Sequence, residues 1–390
     1  MNILFIHSFH RDGSSSGDDI VVNNEIELLR KKGHTVDVFS RFNSEVDKAT
    51  PLKKISLLSQ IPWSVENYLS LNRVLKNKKY EVAHIHTWFP LMSPAIYEVL
   101  YKNNVPIVQT LHDFRFFCPV AFLYRNDEIC EECNKKGLHS AVINRCFQNS
   151  YIKSSLAVAT LETVKIRKVF NKISLFIAFT QFDKEKFIEL GIPANKIVIK
   201  PHFLPARPEI KVVDSSKEKY FLYLGRLSKE KGVDFLLNTW KNTDIKLKII
   251  GSGDLENMVK DYSVNYNNIE YLGFVNHSDI YRYIKDAVSV IMPSVWYETF
   301  GMVIMEAYSV GTPVIATNLG AMVDMVIEGE TGFKFKRKDK QDLLDKVIAI
   351  SKDNRLRTKM SKNALLKFKK DFTPEKNYKQ LIEIYDKISS

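Results

Sequence analysis

Two glutamates, Glu298 and Glu306, stand eight positions apart in the stretch 294–311, with Phe300-Gly301 between them. The apolar run 288–292 ahead of Pro293 reads as a buried parallel strand, and 299–309 reads as a helix. Eight residues make about 2.2 helical turns. Glu298 is therefore expected in the loop before the helix and Glu306 two turns inside it, on a different face. A loop carboxylate, a glycine turn and a helix N-terminus together can grip a sugar attached to a phosphate. The helix end offers free N–H groups and partial positive charge to the phosphate. The carboxylates accept hydrogen bonds from sugar hydroxyls.

A second set lies upstream. The strand-like run 220–224 stops at Gly225, Arg226 follows at once, and Lys231-Gly232 opens the next helical run. In an open α/β sheet, ligands bind beyond the carboxyl ends of the strands. Arg226 and Lys231 are then placed to hold a diphosphate, Arg with paired N–H groups and Lys as a point charge. Gly251-Ser252-Gly253 after the run 246–250 is a further glycine turn. Either a plain structural turn or a ligand contact accounts for it.

In the first half, His84 and His86 alternate along one strand and share a face. His86 is nearer the strand end and is the candidate acceptor contact. His112-Asp113 follows the run 107–110. Cys118, Cys130, Cys133 and Cys146 fall within 29 residues. Cys130-x-x-Cys133 is a metal-ligand unit, and the outer two allow a four-thiolate zinc site. Ordinary reduced thiols and redox chemistry are the alternatives, and disulfides are disfavoured in a cytosol-facing protein.

These residues need a scaffold. Strand-like runs at 3–7, 35–39, 82–86, 107–110 and 175–178 are followed by others at 220–224, 246–250, 269–271, 289–292 and 313–316. Helical runs at 21–32, 183–189, 234–239 and 280–285 alternate with them. Two βα series predict two doubly wound α/β domains, which suits a chain of 390 residues. The prolines at 201, 205 and 208 mark a linker over 200–217. The expected division is an acceptor-binding domain over 1–203, a nucleotide-sugar domain over 204–372 and a terminal helix over 373–390.

The formal charge is +12. The local excess at 51–80 interleaves Lys53, Lys54, Arg73, Lys76, Lys78 and Lys79 with Leu, Ile and Trp63. It reads either as a solvated helix face or as a contact for an anionic membrane surface. No nucleic-acid motif accompanies it. Without an apolar run of membrane-spanning length or a signal-like start, a cytoplasmic protein is expected, with peripheral contact on the inner membrane face as an option.

Taken in order, GRLSKEKG at 225–232, GSGDLE at 251–256, PSVWYETFGMVIMEA at 293–307 and GTPVIATNLGAMVDMVIEGETGFKF at 311–335 resemble the retaining glycosyltransferases of family 4. The resemblance covers nearly the whole chain. It implies the GT-B architecture, two Rossmann-like domains facing a cleft, with the terminal helix returning to the first domain. It implies transfer of a hexosyl unit from a UDP- or GDP-linked sugar to a glycan or lipid-linked acceptor, without a catalytic metal, in a bacterial surface-polysaccharide setting. By the same resemblance, Arg226 and Lys231 neutralise the donor diphosphate and Glu298 holds the sugar. The N–H groups of Phe300, Gly301, Met302 and Val303 meet the phosphates, Glu306 takes the ribose, and His112 faces the reacting sugar. The family's glycine pair after the first strand corresponds here to Ser15-Ser16-Gly17, which retains only Gly17 on the phosphate side, with Ser16 toward the acceptor. A sugar-nucleotide epimerase of the same fold and a non-enzymatic nucleotide-sugar binder are the competing classes. An NAD-dependent oxidoreductase is disfavoured, because neither half opens a helix with GxGxxG after a strand.

Overall fold

The computed structural model describes residues 1–10, 17–205 and 219–389. Fourteen strands are present among them: β1 (Asn2–Phe9), β2 (Thr35–Phe42), β3 (Val82–Ile85), β4 (Ile107–Thr110), β5 (Tyr124–Arg125), β6 (Glu128–Ile129), β7 (Leu175–Ala178), β8 (Ile197–Ile199), β9 (Phe221–Leu224), β10 (Leu247–Ile250), β11 (Ile269–Gly273), β12 (Ser289–Met292), β13 (Val314–Thr317) and β14 (Gly332–Phe335). They form two six-stranded parallel sheets, ordered β2-β1-β3-β4-β7-β8 and β11-β10-β9-β12-β13-β14, and the small antiparallel hairpin β5-β6. Most inner strands are buried along their whole length, as a parallel sheet covered on both faces requires.

The chain divides into two compact units, one of Met1–Leu123, Cys130–Lys200 and Asn377–Ser390, the other of Tyr124–Ile129 and Pro201–Lys376. In the first, Ile3 and Phe5 of β1 pack with Val22, Ile26 and Leu29 of the helix Gly17–Lys31. Leu381, Ile384 and Tyr385 of the helix Pro374–Ser389 close the same core. In the second, Phe221, Leu247, Ile249 and Ile291 pack against Leu236, Leu237 and Trp240 of the helix Val233–Trp240.

The ten expected strands are all present; those at 107–110, 175–178 and 289–292 keep their expected bounds, and no end of the others moves by more than three residues. Three pairings add to them. β8 and the mixed-polarity β14 close the outer edges of the two sheets, and β5-β6 has only two residues a side. Most of the expected linker, 206–217, lies outside the described residues. The helix expected from 299 begins at Met302 and ends at Ser309. Gly301 causes the delay: it is left-handed at φ 80°, so the helical turn cannot start before it. Glu306 is thereby the fifth helical residue, a little over one turn in rather than two.

Gly251 shows how tightly the strand ends meet. Its φ is 142°, and a Cβ there would lie 1.9 Å from the Gly225 carbonyl oxygen. The close approach suggested by the sequence is made by the protein's own backbone. Gly251→Ala should cost roughly 3 kcal/mol or more, through strain and the lost β9–β10 junction. Urea unfolding with a midpoint equal to wild type would contradict this.

Candidate active site

In each sheet the strand order reverses beside the unit's first strand: β1 lies between β2 and β3, and β9 between β10 and β12. Loops leaving the carboxyl ends of strands at such a reversal diverge to opposite faces and leave a crevice. The candidate residues fall at these two places.

In the second unit, the loop after β9 carries Arg226 and the 3-10 turn Lys229–Lys231. The Tyr223 hydroxyl donates to the Arg226 carbonyl at 2.7 Å and fixes the exit from the strand. The Arg226 guanidinium is half exposed and pairs with Glu230 Oε1 at 2.5 Å, which also accepts from Ser228 Oγ at 2.7 Å. Lys231 Nζ lies 2.6 Å from Glu298 Oε1 and 5.3 Å from the centre of the Trp296 ring. Both cations assigned to a diphosphate are thus held by carboxylates of their own chain.

Glu298 is 6% exposed. Lys231 Nζ, Ser294 Oγ (2.8 Å) and Trp296 Nε1 (2.9 Å) all donate to its Oε1. Burial pushes this carboxyl up. The Lys231 charge and the hydrogen bonds from Lys231, Trp296 and Ser294 pull it down further, and the net shift is below the ordinary 4.5. The backbone is clamped too. Ala321 N–H donates to the Glu298 carbonyl at 2.8 Å, and a Cβ on Gly320 would lie 2.8 Å from Glu298 N. Ser294, Trp296, Glu230 and Gly320 lie inside the quoted motifs, but the motifs alone assign them no role. The only available signal for the first two is that they flank Glu298 with side chains able to donate.

The helix Met302–Ser309 starts beside this loop, with Met302 and Val303 N–H groups in its first turn. Phe300 turns its ring inward, edge-on to His202 at 4.8 Å, so only its backbone can serve a ligand. Glu306 is half-buried near Tyr281, whose hydroxyl is pushed up by burial first and by the Glu306 carboxylate second.

In the first unit, the ends of β1, β3 and β4 gather histidines. His112 Nδ1 lies 3.3 Å from Asp18 Oδ1, and its Nε2 lies 2.9 Å from His86 Nδ1. Burial lowers the His112 pKa, but Asp18 above all, then Asp113 and Glu25, raise it, and the net shift is upward. Asp113 accepts the Arg115 N–H at 2.8 Å and so caps the following turn. His86 differs from expectation. Its ring has no solvent exposure and stands behind His112, against His84 and Phe5, so it cannot touch an acceptor directly. A cavity of about 40 Å³ lined by His86, Gln109, His112 and Asp113 is too small for a sugar. Gly17 is the exposed first residue of its helix, and a Cβ there would meet nothing within 4 Å. Ser16 lies outside the described residues.

The four cysteines are free thiols. The Cys118 sulfur is buried and accepts backbone N–H groups of Leu123, Val120 and Phe122. The Cys133 thiol is pushed up to about 12, by burial first and then by Cys118, Cys146 and Cys130. Cys118, Cys130 and Cys146 therefore stand close enough to Cys133 for their charges to act on it. Among the described residues, the one group of three potential ligand residues with atoms within 4.8 Å of one another is Glu25, His84 and His86. That trio does not suit a metal ion. The Lys200 ammonium already sits 2.5 Å from Glu25 Oε1, and both His84 nitrogens are engaged, by the Tyr385 hydroxyl and by Thr110 Oγ1.

With this geometry in view, the two sheets define the GT-B fold, and solved structures agree. Anabaena HepE in complex with UDP-glucose superposes with a TM-score of 0.68 at 19% identity, covering 99% of this chain and 100% of that one. A Thermosynechococcus elongatus sucrose-phosphate synthase superposes with a TM-score of 0.72 at 17% identity, covering 99% and 98%. Two family models divide the chain: Glycosyltransferase Family 4 over residues 16–205 and Glycosyl transferases group 1 over 207–367. An uncharacterized glycosyltransferase of Methanocaldococcus jannaschii is 27% identical over 77% of this chain and 76% of its own. The capsular polysaccharide biosynthesis glycosyltransferase CapM of Staphylococcus aureus is 23% identical over 94% and 93%. The chain is a glycosyltransferase of the GT-B fold.

The Lys231–Glu298 pair gives a pH signature. Because the folded pKa of Glu298 is depressed, its contribution to stability is complete above the ordinary value of 4.5 and is lost as pH falls through the lower folded value. The difference in urea midpoint between wild type and Glu298→Gln should be largest near neutrality and narrow as pH falls below about 4.5. A difference independent of pH would contradict the pairing.

Proposed function

We propose that the enzyme transfers a hexosyl unit from a nucleotide-diphosphate sugar to a hydroxyl of a glycan or lipid-linked acceptor, with retention at the anomeric carbon. One observation carries the reading: the convergence of Arg226, Lys231, Glu298 and a helix N-terminus at the carboxyl ends of β9 and β12. Arg226 and Lys231 take the diphosphate, and its arrival exchanges their present carboxylate partners for phosphate oxygens. Glu298, released from Lys231 but still held by Ser294 and Trp296, turns to the sugar hydroxyls. Met302 and Val303 N–H groups add to the phosphate contacts, and Glu306 takes the ribose. The leaving diphosphate is stabilised by fixed positive charge and oriented dipoles, and no general acid is needed.

Two further points support the setting. The relative HepE was crystallised with UDP and with UDP-glucose, which favours a UDP-linked donor. The relative CapM is named for capsular polysaccharide biosynthesis, which favours a surface-glycan acceptor. Among the described residues, no helix is long and apolar enough to cross a membrane. On the helices Pro51–Ser59 and Val65–Asn77, however, Leu52, Val65 and Leu69 are exposed beside exposed Lys53, Lys54, Arg73 and Lys76. That face suits peripheral contact with an anionic membrane bearing the acceptor.

UDP-glucose should raise the melting temperature more than GDP-sugars do. Arg226→Ala and Lys231→Ala should each lower kcat/KM by roughly 100-fold or more while leaving the fold intact. EDTA should leave turnover unchanged, and the new glycosidic bond should keep the donor's anomeric configuration by NMR. An isomerised donor without a transferred product would establish the epimerase reading instead. Wild-type rates in either variant would remove the diphosphate assignment.

A further inference from the structure

Beneath His112 runs a chain of charged and titratable side chains that the transfer reaction does not itself explain. Asp18 Oδ1 is 3.3 Å from His112 Nδ1, and His112 Nε2 is 2.9 Å from His86 Nδ1. His86 Nε2 faces Glu25 Oε2 at 3.7 Å, and Glu25 Oε1 is 2.5 Å from Lys200 Nζ. Glu25 and Lys200 are each 1% exposed, and the His86 ring is sealed from solvent. His86 Nε2 and Glu25 Oε2 are both buried atoms without a hydrogen-bond partner, and they lie 3.7 Å apart.

The proton positions follow from this arrangement. His86 is neutral: burial, then the neighbouring His84, His112, His7 and Lys200, all disfavour its charged form. A neutral imidazole carries one N–H. If that proton were on Nδ1, His86 Nε2 would present a lone pair to the Glu25 carboxylate, and two buried acceptors would face each other unpaired. If it is on Nε2, it points at Glu25, and Nδ1 becomes the acceptor. His112 Nε2 must then carry a proton to fill the 2.9 Å contact, while His112 Nδ1 donates to Asp18. His112 then holds two protons, the second taken from solvent.

We propose that Glu25 is a positioning residue that fixes the His86 tautomer and thereby keeps His112 a doubly protonated imidazolium beside Asp18. Lys200 is the counter-ion of Glu25, its Nζ 2.5 Å from Oε1 in the sealed interior. The outer end of the relay is the Asp18 carboxylate, 43% exposed, which also accepts from Thr87 Oγ1 at 3.2 Å. His112 therefore presents no spare ring nitrogen to a sugar. It fixes the charge and orientation of Asp18, and Asp18 meets the ligand. The role of this site in transfer rests on the function proposed above; the proton arrangement does not.

The titratable and charged groups around His112, His86 and Asp113 enter the balance. Asp18, Asp19 and Glu25 lie on the helix Gly17–Lys31, Asp113 and Arg115 in the loop carrying His112 itself, His7 on β1, His84 and His86 at the end of β3, and Lys200 after β8. Asp19 is engaged by His7 Nε2 at 2.8 Å. The net upward shift of His112 agrees with the assignment.

The test is the ring-nitrogen NMR of the nine histidines in the ¹⁵N-labelled full chain, with His112 assigned by its loss in His112→Gln. In wild type at pH 7, both His112 nitrogens should be protonated. In Glu25→Gln/Lys200→Met, a Gln amide can donate to His86 Nε2, the tautomer reverses, and the His112 titration should move down by roughly one pH unit or more. Lys200→Arg keeps both the Glu25 carboxylate and its buried countercharge, so its His112 imidazolium should persist; a merely structural effect would disturb both variants alike. A neutral His112 in wild type at pH 7, or an unchanged titration in the double variant, overturns the proposal. Full transfer by His112→Gln would instead remove the catalytic reading of the site while leaving the proton arrangement as measured.

Discussion

The reversal of strand order in each parallel sheet is the constraint on which the candidate site depends. Parallel strands must all be crossed by connections of one hand, so the loops beside the first strand of each unit leave for opposite faces. β9 and β12 are adjacent though far apart in sequence, with Phe221 opposite Ser289 and Leu222 opposite Val290. That pairing places the Arg226–Lys231 loop against the Ser294–Glu298 loop. The backbone is compressed to allow it: a Cβ on Gly232 would lie 2.0 Å from the Pro293 carbonyl oxygen. The chemistry of the loops is thus a consequence of register.

Charge is then handled in two ways. In the second unit the cations remain near solvent, Arg226 more than Lys231, and each has one carboxylate partner. At Arg226 the exchange for a phosphate is inexpensive, because an exposed pair contributes little; at the more enclosed Lys231–Glu298 pair, Ser294 and Trp296 keep the carboxylate bonded when the ammonium turns away. In the first unit the Glu25–Lys200 pair is sealed in the interior and joins positions 175 residues apart. Removing either member would strand a charge in low dielectric. One arrangement suits a site that must open to a ligand, and the other suits one that must not change.

Much of the fold was legible because a parallel strand buried on both faces is a largely apolar run, as in Leu175–Ala178, which is apolar and buried throughout. β14, Gly-Phe-Lys-Phe, has a lysine in the run, and β5 and β6 are too short to show any period. The residues of the donor-side loops were legible because Arg226, Lys231 and Glu298 stand directly after strand ends. Their pairing was not, since Lys231 and Glu298 meet across 67 positions. The burial of His86 was hidden for a related reason. Alternation along β3 correctly put it on one face with His84, but the cover over that face comes from Glu25 on a helix and Lys200 beside a proline-rich stretch, where both read as surface charges.

The same limit explains why a relay can be invisible in a motif and decisive in a structure. His112 next to Asp113 invites the reading of a local dyad, yet Asp113 caps its own turn and the ring turns to Asp18 and His86. An imidazole bonded at both nitrogens by fixed groups cannot also search for a substrate hydroxyl. Pre-organisation of this kind lowers the reorganisation needed when charge develops nearby. In the proposed arrangement it also transfers recognition from the histidine to the half-exposed carboxylate it steadies. In this fold, the residue that a sequence motif marks and the residue that meets the ligand need not be the same.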